Sequence, residues 1–171
     1  MTRYVALLRG INVGGIRIKM ADLAEMFSAA GHRDVRTVLA SGNVLFDSDD
    51  GAAALKPALE AALTDRFGYE AYTFVVEQSR IADLVATYPF DEREDHHSYV
   101  VFVSDPDALD ALAATEVLQD EVERIQRGDG VLYWQVEKGH TLDSTVGKET
   151  GAGRYKAVTT ARNLKTLRKL L

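Results

Sequence analysis

"VRTVLASGNVLFDS", residues 35–48, decides the fold. Its halves, "VRTVLA" (35–40) and "NVLFDS" (43–48), are short apolar and β-branched runs with only Ser41-Gly42 between them. So short a gap predicts two strands joined by a tight hairpin. Upstream, "RYVALLR" (3–9) reads as a strand by its alternation. Residues 20–30 then read as a helix, with Met20, Leu23, Phe27 and Ala30 on one face and Gly31 as its stop. Downstream, Asp49 or Asp50 is placed to cap a helix whose Leu55, Leu59, Leu63 and Phe67 recur at i, i+4. Gly68 ends that helix, and "EAYTFVVE" (70–77) is a strand. The order is β-α-β-β-α-β, the ferredoxin-like arrangement.

A further helix turns Ile81, Leu84, Val85 and Tyr88 inward and stops before Pro89, because proline drives the preceding residue out of helical geometry. The polar link "FDEREDHH" (90–97) has no periodicity and places a boundary, giving subdomains 1–90 and 91–171. The order then repeats. "SYVVFV" (98–103) is a strand, and Asp105 and Pro106 suit the Ncap and N1 of a helix carrying Leu109 and Leu112. "VERIQ" (122–126) and "VLYWQV" (131–136) form a hairpin turning at "RGDG". A short helix at 144–152 follows an Asp143-Ser144 cap, then a strand at 155–160 and a helix at 162–171. "YTFVVEQSRIADLVA" (72–86) lies over "YKAVTTARNLKTLRK" (155–169) without a gap, and "RYVALLRG" parallels "SYVVFVSD". The expectation is an α+β fold of two fused ferredoxin-like subdomains arising by internal duplication.

With 46% hydrophobic and 27% charged residues, the chain has the composition of a packed globular protein. It has no cysteine, which excludes disulfides, thiolate metal sites and a cysteine nucleophile. Neither the N-terminal apolar run nor any later one reads as a signal peptide or a membrane span, so the expected location is cytoplasmic. The net charge of −6 argues against nucleic acid, but its distribution is uneven. Residues 1–40 hold six Lys/Arg against three Asp/Glu, and residues 138–171 hold eight against two. Two basic ends flank an acidic middle, either as one basic face or as an uneven solvated surface.

"LRGINVGGIRIKM" (8–20) carries the densest polar signal. Gly10 and Gly15 have Walker A spacing, yet Ile16 and Arg17 stand where a phosphate loop needs lysine and a hydroxyl. The dinucleotide fingerprint is absent too. Two readings stay open: a strand-to-helix loop that turns N–H groups towards an anion, or a plain turn with Gly14-Gly15 at positive φ. Arg9, Arg36, Ser41 and Asn43 are placed to approach this loop. Arg162 and Asn163 open the last helix, with Thr159 or Thr160 as its cap. Arg, Asn, Ser and Thr bind anions through hydrogen bonds, arginine with bidentate geometry.

"YVALLRGINVGG", "KMADL", "VRTVLASGNVLF", Pro89-Phe90 and "TTARNLKTLRKL" together resemble the bacterial family called domain of unknown function 1697. The resemblance implies two fused ferredoxin-like subdomains and no particular activity. Its polar signature maps to Arg9, Asn12, Gly14, Gly15, Lys19, Ser41, Gly42, Asn43, Arg162, Asn163 and Thr166. One departure is that Leu164 and Lys165 stand where the family usually has tryptophan and asparagine.

An RNA-recognition domain would share the element order, and "RGDGVLYW" (127–134) begins like its central motif. However, Asp129 and Val131 occupy the aromatic positions, and Tyr133 and Trp134 should face opposite sides, one in the core and one on the surface. His96-His97 reads as a solvated linker rather than a metal site, and His32 and His140 sit at a helix end and a turn. No cofactor motif, metal site or hydrolase motif is present. The leading expectation is a protein that binds a phosphate-bearing ligand, a small molecule such as a nucleotide or an RNA backbone. Arg9, Asn12, Gly14, Gly15, Lys19, Arg36, Ser41, Asn43, Arg162, Asn163 and Thr166 would form the site. The alternatives are an enzyme of unknown reaction in the same pocket, or a protein-interaction module using the acidic middle and a Tyr/Trp surface.

Overall fold

The computed structural model describes residues 1–12, 15–117 and 121–171. The chain divides into two units, Met1–Asp83 with Lys169–Leu171, and Leu84–Arg168.

In the first unit, β1 (Thr2–Leu8), β2 (Arg33–Val38), β3 (Asn43–Ser48) and β4 (Thr73–Glu77) form an antiparallel sheet of order β2-β3-β1-β4. Helices α1 (Met20–Ala29) and α2 (Ala52–Phe67) supply Leu23, Met26, Phe27, Leu55, Leu59 and Leu63 to a core against Tyr4, Ala6 and Leu8. Val5 and Leu7 point the other way and are also buried, so β1 reads as a nearly continuous apolar run. Ala30 is exposed, and Met26 takes the core position expected of it. The N-cap of α2 is Gly51 rather than Asp49 or Asp50. Ser48 Oγ accepts from Asp50 N at 3.2 Å, which holds the turn and delays the helix to Ala52. Gly68 closes α2 at φ 70°, as its position predicts.

The core around α2 leaves one polar group stranded. The Tyr69 hydroxyl is buried and, among the described residues, has no hydrogen-bond partner. Burial pushes its pKa up to about 12. Tyr69→Phe removes that unsatisfied group at constant shape. It is expected to raise stability by about 1 kcal/mol in denaturant titration, and a loss of stability would contradict this account.

In the second unit, β5 (His96–Val103), β6 (Glu123–Arg127), β7 (Val131–Glu137) and β8 (Thr159–Asn163) form an antiparallel sheet of order β6-β7-β5-β8. Helix α3 (Gln78–Ala86) spans the division, and α4 (Pro106–Ala113), α5 (Thr145–Gly151) and α6 (Leu164–Arg168) follow. Asp105 caps α4 by accepting from Asp107 N at 3.0 Å, with Pro106 in its first turn, as expected. Ser144 caps α5 through Gly147 N at 3.1 Å. Val101, Val103, Leu109, Leu112, Leu132, Trp134, Val136 and Val146 make the core.

Several expectations are corrected in this unit. The last strand is Thr159–Asn163, not 155–160, because Tyr155 is buried in a 3₁₀ turn (Gly153–Tyr155) that delays it. Thr159 and Thr160 are therefore ladder residues, and Asn163 Oδ1 caps α6 by accepting from Lys165 N at 2.9 Å. The gapless alignment of the two halves also slips by three residues. Tyr4 pairs with Glu77 in one sheet and Tyr99 with Asn163 in the other, so Asn163 stands where Glu77 does. Finally, His96 is buried in β5, not solvated. Its Nδ1 lies 2.8 Å from Asp95 Oδ1 and its Nε2 3.1 Å from Glu121 O.

Tyr133 and Trp134 are both buried. The Trp134 ring joins the helix-side core, and Tyr133 on the opposite face is covered by Tyr88 at 5.6 Å and Thr87 Oγ1 at 3.0 Å. No aromatic from this pair remains on the surface to stack a base or contact a partner.

Candidate functional site

Asn12 of the N-terminal loop uses its polar groups in bonds to the loop and to the hairpin turn. Asn12, at φ 54°, donates from Nδ2 to Ile18 O at 3.1 Å and Ala40 O at 2.7 Å, and accepts from Ile18 N at 3.0 Å. Its own N–H donates to Ile16 O at 2.6 Å. The side chain therefore straps the loop to the hairpin turn. Asn43 is fully buried and donates from Nδ2 to Val38 O at 2.7 Å and Ser41 Oγ at 3.0 Å. Gly42 sits at φ 87°, where a Cβ would meet Ile11 Cδ1 at 2.7 Å and Leu8 Cβ at 2.9 Å. A side chain there is strained twice, by the backbone and by contact.

Gly15 is exposed and is not at positive φ. Among the described residues of the loop, Gly10 and Asn12 are at positive φ, and Gly14 lies outside the described residues. Arg9 is half-buried at the end of β1, and burial holds its pKa below the ordinary value. Lys19, Arg36 and Ser41 are exposed. All of these belong to the first unit, whereas Arg162, Asn163 and Thr166 belong to the second. Arg162 is buried in β8, donating from Nη1 to Thr160 Oγ1 at 2.8 Å and Ala161 O at 2.9 Å. Thr166 is half-buried on α6.

Asn163 lines a cavity. Asn163 shares a pocket of about 190 Å³ with His97, Ser98, Lys138 and Lys165, and with the Glu92–Glu94 segment and His96. The β5 ladder builds it. Tyr99 faces Asn163 across β8, so Lys165 follows beyond the strand end. His97 faces Val136 across β7, so Lys138 follows just beyond that end. Among the described residues no carboxylate lies within 4 Å of either lysine ammonium. Glu92 is held by Arg168, which keeps its carboxyl below the usual range, and Arg93 lies 3.6 Å from Asp95. Glu92 and Glu94 are both acidic members of the rim. Burial, and then Lys138 and Lys165, hold the His97 pKa below its ordinary value.

A larger cleft of about 450 Å³ is lined by Glu123, His140, Asp143, Lys148 and Glu149. Its charge is mainly acidic, and both Glu123 oxygens already accept hydrogen bonds. No group of three or more His, Asp or Glu among the described residues could hold a metal ion. No helix among them is long and apolar enough to cross a membrane.

Sequence reasoning missed His97, Lys138 and Ser98. The available signal was the alternation of "HHSYVVFV", which carries the strand back to His96 and brings the end of β7, with Lys138, beside it.

Two antiparallel sheets with helices, and a strand-end polar pocket, define an α+β protein of a recognisable kind. The chain belongs to the family of proteins of unknown function DUF1697, whose profile matches residues 1–133. The "TTARNLKTLRKL" motif lies beyond that span. The fold is similar to that of the conserved bacterial protein SP0830 from Streptococcus pneumoniae. The TM-score is 0.83 at 24% identity, over 99% of this chain and 96% of that one. A search among curated proteins finds no significant match.

Proposed function

We propose that this chain is a binding protein whose second unit holds a small phosphate-bearing ligand in the pocket of Lys138, Lys165, Asn163 and His97. The observation that carries the reading is two ammonium groups, neither with a carboxylate within 4 Å among the described residues, beside one polar cavity. Ammonium, amide and hydroxyl groups together suit an oxyanion. A cavity of about 190 Å³ is below the roughly 300 Å³ of ordinary ligand sites, so it suits one phosphate group or a phosphomonoester end rather than a whole nucleotide. An RNA backbone is the other partner of this chemistry, and its binding would weaken steeply with salt. The same reading takes each half, 1–90 and 91–171, as one copy of a duplicated ferredoxin-like subdomain, supported by the matching strand orders. It places the protein in the cytoplasm.

The test is calorimetric titration with inorganic phosphate and a phosphomonoester. The double substitution Lys138→Ala/Lys165→Ala is expected to weaken binding by about tenfold or more, as two ion contacts are lost. Unchanged affinity would remove the pocket from consideration. Loss in Arg9→Ala, with the lysine pair silent, would move the site to the N-terminal loop.

A further inference from the structure

Resting on that reading, we propose that His97 is a third cationic ligand of the pocket and that a tetrahedral dianion enters it together with a proton. His97 is half-buried on β5 with its ring 5.6 Å from that of Tyr99. Among the described residues no group hydrogen-bonds to its ring nitrogens. This contrasts with His96 next to it, whose two nitrogens both face oxygen acceptors, Asp95 and Glu121 O. An imidazole lining a cavity with both nitrogens uncommitted has donors to offer a ligand once it is protonated.

The surroundings set the direction of the coupling. Lys138 beyond β7 and Lys165 on α6 act on His97, and Asn163 on β8 and Glu92, Arg93 and Glu94 from the segment before β5 line the same pocket. Arg168 pairs with Glu92, whose carboxylate also acts on Lys165, and Asp95 lies beside Arg93. Burial and the two lysines disfavour the imidazolium, and the His97 pKa is lowered. A dianion between the lysines reverses that balance, because it offsets both ammonium charges and itself favours the protonated ring. The pKa of His97 is then higher with ligand than without. Affinity is therefore greatest below the free-state pKa and falls as pH rises through the bound-state pKa. The slope approaches about tenfold per pH unit between the two. A planar monocarboxylate carries one charge rather than two and gains less from the third cation.

The probe is sulfate, a tetrahedral dianion that does not itself titrate near neutrality, so any proton taken up belongs to the protein. Calorimetry in two buffers of different ionisation enthalpy should show uptake approaching about one proton per sulfate, with affinity falling as pH rises. His97→Asn should bind sulfate more weakly, with no proton uptake and a flat pH profile. In the unsubstituted protein, the His97 ring resonances should titrate at higher pH when sulfate is present, which decides the matter even if the variant folds poorly. Sulfate binding without proton uptake, with an unmoved His97 titration, overturns the coupling and leaves the lysine pocket standing. Absence of both sulfate and phosphate binding overturns the pocket and the coupling together.

Discussion

Gly147→Ala is expected to cost about 3 kcal/mol, at the upper end of overpacking effects. Gly147 lies inside α5, where alanine would otherwise be favoured by up to about 1 kcal/mol. A Cβ there would stand 1.8 Å from the Thr141 carbonyl oxygen and 2.9 Å from Ser144 Oγ. The first neighbour is backbone and cannot swing aside. The second is the cap hydroxyl that accepts from Gly147 N, so any shift that relieves the clash also disturbs the cap. Trp134, the chain's one tryptophan, lies in the same core as Val146 of α5 and reports on it. Urea titration followed by its fluorescence should give a lower midpoint with an unchanged slope. Gly151→Ala is the control. It lies in the same helix, and its Cβ would meet nothing within 4 Å. Equal stability of the two variants would refute the close-approach argument.

Most elements were legible because their signals are local. The hairpin around Ser41-Gly42, the Asp105-Pro106 helix start and the Gly68 stop each rest on a few neighbouring residues. The failures came where distant contacts decide. "YKAVTT" has strand composition, yet burial of Tyr155 in its own turn moves the strand to Thr159–Asn163 and takes Arg162 and Asn163 out of the helix. His96 looked solvated beside "DERED" because nothing local shows that Glu121 O will meet its Nε2. The polar loop residues were visible as types but not by use. Asn12 bonding Ala40 O is a contact between distant segments, and it turns an apparent ligand group into a strap. Lys165 was visible only as a departure, a lysine where the family resemblance implies asparagine. The structure places it on the pocket rim.

Glu123→Ala is expected to cost about 3–5 kcal/mol, because it strands buried donors rather than merely deleting contacts. Glu123 is 3% exposed although it sits on edge strand β6. Its Oε2 accepts from Trp134 Nε1 at 3.1 Å and from Val146 N at 3.3 Å, and its Oε1 accepts from Thr145 N at 2.8 Å. The carboxylate thus satisfies two first-turn N–H groups of α5 and the indole of the core, and its charge faces the positive end of the helix. Glu123→Gln keeps one acceptor oxygen but turns an amide donor towards groups that are themselves donors. Its loss should be intermediate, about 2 kcal/mol. Near-ultraviolet dichroism should show the Trp134 signal reduced in Glu123→Ala before global unfolding, since the ring loses its only polar anchor among the described residues. A loss below about 0.5 kcal/mol would mean that water replaces the carboxylate without cost, and the capping role would be wrong. Glu123 and Gly147 act on the same first turn of α5, so their effects should not add. Once Gly147→Ala has displaced the turn, Glu123→Ala has fewer bonds left to break. The double variant should lose less than the sum of the singles by about 0.5–3 kcal/mol.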